Sequence, residues 1–140
     1  MKTGESLKEL MQESNLSADA LSKKLGVSAS IVARWVRENK PVKSLNLLKL
    51  AEFFDCSADY ICGRTNNKGK YIPSQSTFPN KLIELLKNSD KTKDKVFTDM
   101  GFNRHIIYDW QKGFAPLSSN LILLADYFGC TIDFLLGLEN

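Results

Sequence analysis

The 140-residue chain is poor in the side chains from which most catalytic and metal sites are built. It has one histidine, His105, and three cysteines, Cys56, Cys62 and Cys130. No CxxC pair or Cys/His cluster occurs, so zinc-ligand spacing is missing. Three thiols cannot all pair with one another, and small buried hydrophobes are their expected role. Reduced thiols, with no apolar run of signal-peptide or transmembrane length, point to a cytoplasmic protein that does not enter a membrane. There is no nucleophile–base set and no phosphate-cradling glycine loop, so nothing supports an enzyme, a cofactor or a small-molecule ligand. Charge of one sign is also lacking: 19 Lys and Arg stand against 16 Asp and Glu, a formal net charge of +3.

That small excess is unevenly placed. Residues 1–66 carry 10 cations and 8 anions, residues 67–77 add Lys68 and Lys70, and residues 78–140 carry 7 cations and 8 anions. A weakly basic first half permits nucleic-acid binding without demanding it.

What the chain does have is the same sixty-odd residues twice. With Trp35 set on Trp110, Leu7, Glu9 and Leu10 face Leu82, Glu84 and Leu85, and Leu25-Gly26-Val27 faces Met100-Gly101-Phe102. Pro41 faces Pro116, and one residue is dropped after that proline. Leu50-Ala51-Glu52-Phe53-Phe54-Asp55-Cys56 then lies on Leu124-Ala125-Asp126-Tyr127-Phe128-Gly129-Cys130. The shared order of Gly, Trp, Pro and Cys excludes accident. A solenoid needs at least three repeats to bury its faces, so the expectation is two small domains, 1–66 and 78–140. Each is about sixty residues, marginal but large enough to fold. Residues 67–77 are polar and Gly/Pro-punctuated, and read as a linker.

Both halves read as all-α. Apolar residues recur at helical spacing in short runs, with no sustained strand alternation. In the first half Ser17, Ser28, Ser44 and Ser57 suit helix N-caps, as do Thr92, Asn103, Ser118 and Thr131 in the second. Gly26, Gly63, Gly101, Gly113 and Gly137 suit helix stops. Within Ser17–Trp35, two short helices meet at a tight turn on Gly26, where a residue without Cβ takes positive φ cheaply. Leu21, Leu25, Val27, Val32 and Trp35 would lock the second helix across the third. The outer face of the third is then free to enter a DNA major groove, which admits one α-helix. Thr92–Trp110 repeats the set with Val96, Met100, Phe102, Ile107 and Trp110.

On these residues, and on the Ser57-Ala58-Asp59-Tyr60-Ile61-Cys62-Gly63 ending, each half resembles the Cro/phage-repressor-type, XRE-like five-helix helix-turn-helix family. The resemblance implies two tandem repressor-like domains and a sequence-specific transcriptional regulator, a repressor, whose partner is double-stranded DNA. Carried over by position, the reading surface falls on Ser28, Ala29, Ser30, Ala33 and Arg34 in the first half. In the second it falls on Asn103, Arg104, His105, Tyr108 and Asp109. Ser17 and Thr92-Lys93 would bring backbone N–H groups to phosphates. Arg34 and Arg104 suit bidentate guanine contacts. Arg37, Lys40 and Lys43 suit the flanking backbone, as do Lys91, Lys95 and Lys112.

Three positions depart from the family pattern. The Arg–Glu pair often found between helix one and the residue after the helix-three tryptophan is replaced by Met11 with Val36 and by Leu86 with Gln111. The small residue early in the turn motif is Ser22 in the first half but Phe97 in the second, where the ring should push helices two and three apart. Ile31 and Ile106 occupy an outward position that is usually polar, suited to thymine methyl groups or to a protein contact. Fewer cations, Asp109 and Phe97 make the second half the weaker DNA binder. They also keep open a different function, a protein–protein adaptor of antitoxin-like or repressor-partner type. Phe53 and Tyr127 and the last helices of both halves suit packing of the halves as a pseudo-two-fold pair, self-association or a protein partner. A free linker would instead leave the halves as beads.

Overall fold

The computed structural model describes residues 3–139, apart from the side chain of Arg104. Among the described residues the regular structure is ten helices and two isolated antiparallel bridges. The first half contains α1 (Thr3–Glu13), α2 (Ala18–Leu25), α3 (Ala29–Arg37), α4 (Ser44–Phe54) and α5 (Ala58–Ile61). The second contains α6 (Phe78–Asn88), α7 (Lys93–Met100), α8 (Arg104–Gln111), α9 (Ser118–Phe128) and α10 (Ile132–Leu135). The all-α class expected from the periodicity is the one observed. None of the described helices is long and apolar enough to cross a membrane.

One continuous apolar core runs through both halves. Leu7, Leu21, Val32, Leu47, Leu50 and Ile61 are fully buried in the first, and Leu82, Ile107, Leu121, Leu124, Ile132 and Leu135 in the second. Full burial of such a side chain contributes about 1.5–3 kcal/mol. Phe78 and Phe102 both meet Trp110 edge-to-face, at 5.8 and 5.3 Å between ring centres. Cys56 and Cys62 are buried, and burial pushes both thiols up to about 12, so they stay protonated. Cys130 departs from the expectation of a buried thiol and is half-buried.

The halves are not beads. The Ser44 N–H donates to the Pro116 carbonyl at 2.8 Å, and the Ser118 N–H donates to the Val42 carbonyl at 2.7 Å. Lys43 and Leu117 form an antiparallel bridge between them. At the other end of the seam the Asp59 carboxylate accepts from the N–H groups of Ile132 and Asp133, both at 2.9 Å. The Asp133 carboxylate accepts in return from the Ala58 N–H at 2.7 Å. The Ser44–Pro116 and Ser118–Val42 pairs, and the Ala58–Asp133 and Ile132–Asp59 pairs, are exchanged between positions 74 apart, the signature of a pseudo-two-fold axis.

That exchange corrects three sequence expectations. Ser44 and Ser118 do not cap α4 and α9; Lys43 and Leu117 hold the N-cap positions, without side-chain cap bonds. The serines instead sit in the bridge, where the Ser118 hydroxyl accepts from the Val42 N–H at 2.9 Å. Secondly, the single-residue gap precedes the second proline, because Pro116 takes the buried place of Val42, whose carbonyl accepts across the seam, rather than that of Pro41. Thirdly, the 67–77 segment is docked on both halves. The Lys68 carbonyl accepts from Ser57 N–H, Asp55 accepts from Tyr71 N–H, and Pro73 bridges Leu138. Gly137 has φ 78°, and a Cβ there would fall 2.1 Å from the Ser76 carbonyl oxygen.

Two predictions follow from this packing. Gly4 lets α1 approach α3, since a Cβ there would sit 2.8 Å from the Val36 carbonyl oxygen. Gly4→Ala should therefore destabilise the fold by about 1 kcal/mol or more in urea unfolding, although alanine is the better helix former. Asp133 is 2 % exposed and faces Asp59; burial first, and then the negative Asp59, push its carboxyl up to about 7. A native value above the unfolded one means stability that is complete below about pH 4 and is lost as pH rises through about 7. The melting temperature should thus fall between about pH 4 and pH 7 in the wild type and level off above. Asp133→Asn, which mimics the protonated acid, should flatten that slope.

Candidate nucleic-acid interface

The turn between α2 and α3 has the local chemistry that the sequence suggested. Gly26 adopts φ 73°, ψ 32°, and the Val27 N–H returns to the Ser22 carbonyl at 3.0 Å. The Ser17 hydroxyl accepts from the Ala20 N–H at 3.1 Å, and the Ser28 hydroxyl from the Ile31 N–H at 3.2 Å. Each cap satisfies one of the otherwise unpaired first-turn donors. Val32 and Trp35 then point inward, 0 % and 3 % exposed. Ser28, Ala29, Ser30, Arg34 and Arg37 are left on the outer surface of α3, with Ala33 half-buried at its edge.

Lys40 and Lys43 follow α3 and are exposed as well. Among the described residues, the side chains of Arg34, Arg37, Lys40 and Lys43 make no hydrogen bond or ion pair. Arg34, Lys40 and Lys43 border a groove of about 520 Å³ beside α3, together with Ile31, Asn46 and Leu117. Asn46 was missed from the sequence, although it follows Lys43 by three residues and so shares its face of the first turn of α4. Leu117 had no local signal, because it arrives from the other half.

The second half presents different chemistry at the same positions. Thr92, Asn103, His105, Tyr108, Asp109 and Lys112 are exposed and Lys93 is half-buried; the Arg104 side chain lies outside the described residues. The Asn103 side chain accepts from the His105 N–H at 2.9 Å, capping α8. Of the lysines expected near phosphates, Lys91, Lys93 and Lys95 are engaged. Lys93 donates to Gln111 at 2.8 Å and lies 4.8 Å above the Tyr108 ring. Lys91 and Lys95 both pair with Asp99, at 3.3 and 2.8 Å. Hydrogen bonding from Lys95, then from Lys91 and Tyr127, holds the Asp99 carboxyl below its ordinary range. At the positions of Arg34 and Lys43 stand Asp109 and Leu117, and opposite Lys40 lies the Phe114–Ala115 pair.

The turn itself is alike, with Gly101 at φ 73°, ψ 21° and the Phe102 N–H returning to the Phe97 carbonyl at 2.9 Å. Ser22 and Phe97 are both buried, and the Ser22 hydroxyl donates to the Asp19 carbonyl at 2.7 Å. The expected parting of the helices by Phe97 is therefore not seen in the turn, which keeps the geometry of the first half. Ile31 is 37 % exposed, while Ile106 is half-buried against the core.

The helix-turn-helix family model matches residues 7–61, from the first turns of α1 to the end of α5. This segment is therefore similar in sequence to helix-turn-helix domains. The match lies within the first half, and no curated protein or solved structure matches the chain.

Phe97→Ala should cost about 3–5 kcal/mol of unfolding free energy, the range for emptying a buried ring site. The shift of the urea midpoint measures that loss, and an unchanged midpoint would show that the Phe97 site collapses without cost.

Proposed function

We propose that the protein is a sequence-specific DNA-binding transcriptional repressor in which α3 of the first half enters the major groove. The observation that carries this reading is the uncommitted cationic face of α3 and its following loop, inside the segment that matches the family. Four unpaired cations on one exposed surface suit the phosphate backbone, whose neutralisation supplies most of the salt-dependent affinity of such proteins. Ser28 and Ser30, whose hydroxyls bond one another, open α3, and the first-turn N–H groups that Ser28 does not cap suit positioning a helix on phosphate. Arg34 supplies the planar donor pair that reads guanine.

Residues 78–140 form a second domain of the same type under this reading, with residues 67–77 as the docked connection. Its weaker claim on DNA rests on Asp109 and the engaged Lys91, Lys93 and Lys95. The adaptor reading applies to this half alone, where an aromatic and apolar surface replaces the cations.

Gel-shift titration with DNA flanking the protein's own gene tests the function, on the full chain at several salt concentrations. Arg34→Ala should relax sequence preference by about 1–3 kcal/mol. Lys40→Ala or Lys43→Ala should weaken binding to all sequences and lower the salt slope by about one unit each. Lys112→Ala should change little. Unaltered affinity and preference on replacing Arg34 would remove α3 as the reader.

A further inference from the structure

On the basis that α3 reads DNA, we infer that one chain by itself occupies two successive major grooves, and that its site is asymmetric. α3 lies in one groove and α8 in the next, with Asp109 selecting cytosine where Arg34 selects guanine.

The seam places the two helices. It is built from the segments that directly follow them: Ser44 bonds to Pro116, Ser118 bonds to Val42, and Lys43 bridges Leu117. α3 ends at Arg37 and α8 at Gln111, so the pseudo-two-fold axis passes between the two helices, a few residues from the end of each. A dimeric helix-turn-helix protein uses such an axis to set its recognition helices in adjacent grooves, about 34–36 Å apart. Here the chain supplies its own second half. The surface beside α3 is also continuous across the seam, because Leu117 lines the same groove as Ile31, Arg34 and Lys43.

The relative placement is held at two separate points. Asp59 and Asp133 tie the starts of α10 and α5 at the far end of the seam. The 67–77 segment is bonded to both halves. Attachment at both ends resists rotation of one half on the other, so the spacing of α3 and α8 is a property of the fold.

The chemistry of α8 says what it reads. Its exposed surface carries His105, Tyr108 and Asp109, and Asp109 stands where α3 has Arg34. Among the described residues the Asp109 carboxylate has no hydrogen bond or ion pair. Lys93 does not neutralise it, being committed to Gln111 and the Tyr108 ring. A free carboxylate is repelled by phosphate, which weakens binding to every sequence. In the major groove it is nevertheless selective, since cytosine alone presents a donor with no acceptor beside it. Arginine at the same place takes guanine, which presents two acceptors. The halves of the site therefore differ at symmetry-related positions, and a perfect inverted repeat is the poorer target.

Selection from random duplexes by the full chain tests the inference, with hydroxyl-radical footprinting of the recovered DNA and sedimentation of the complex. One chain per duplex is expected, protecting two patches about 10–10.5 bp apart on one face. Guanine should be fixed in one patch and cytosine at the symmetry-related position of the other. Asp109→Asn, close in shape, should move that cytosine preference toward adenine by about fivefold or more and leave the guanine position unchanged. Arg34→Ala should do the reverse. Inserting half a helical turn between the patches should abolish protection of the second, because its groove then faces away. A single protected patch overturns the inference and leaves α3 as the reader. Two chains on an inverted repeat also overturn it, as does a cytosine preference indifferent to Asp109→Asn. Recovery of no preferred sequence removes the DNA-reading function itself, and the inference falls with it.

Discussion

Backbone hydrogen bonds exchanged between the two halves organise nearly everything else in this molecule. A helix leaves its first N–H groups without intrahelical partners, and burying them unpaired costs free energy. α5 and α10 meet at the seam, and each start is satisfied by a carboxylate from the other half, Asp59 for α10 and Asp133 for α5. Ser57 and Thr131 complete the caps locally, accepting from Tyr60 and Phe134 N–H groups at 2.9 Å. Separation of the halves would strip both short helices of their partners at once. Arg64 binds both Asp59 and Asp126, so one guanidinium serves the acidic seam; its counterpart in the repeat is the apolar Leu138. Two buried carboxylates with one cation leave room for a proton, which is why burial and Asp59 raise Asp133.

The two halves show how a fold can be kept while its surface changes. Buried positions exchange like for like: Leu21 for Val96, Val32 for Ile107, Trp35 for Trp110, Leu50 for Leu124. The surface positions do not. Arg34 becomes Asp109, Lys43 becomes Leu117, and Ser30 becomes His105. Close packing restricts what may stand inside, whereas an exposed side chain is restricted only by what it must touch. Even the buried exchange of Ser22 for Phe97 leaves the turn at Gly101 with the dihedrals of the turn at Gly26. The second half thus keeps the local geometry of the first and differs in the chemistry of the α8 surface.

Much of the candidate site was legible locally. Ser17 and Ser28 announced their helix starts, Gly26 announced the turn, and the 3.6-residue spacing of Val32 and Trp35 told which face of α3 stayed outside. These features depend on a few neighbouring residues, so spacing suffices to find them. Asp59 and Asp133 were also visible, at matching positions in both repeats, but an acid in a first helical turn is ordinary because it suits the helix dipole. Nothing local says that each serves the other half's helix. Ser44 and Ser118 misled for the same reason: a serine before an apolar run is a good cap in isolation, and a bridge across the seam used them otherwise.

The sequence by itself determined the helical class, the repeat, the turn at Gly26 and the cationic face of α3, because each follows from propensity, periodicity or composition within a short window. Tertiary structure decided what those elements do to one another. Whether 67–77 is a tether or a docked strip turned on partners about sixty residues away, Gly137 and Leu138. Whether a lysine is available for phosphate turned on the presence of Asp99 or Gln111 beside it. The place of the gap in the repeat was fixed by which carbonyl faces Ser44 across the seam. Hydrogen bonds and ion pairs between distant residues depend on distance in space, and spacing along the chain does not carry that distance until the chain has folded.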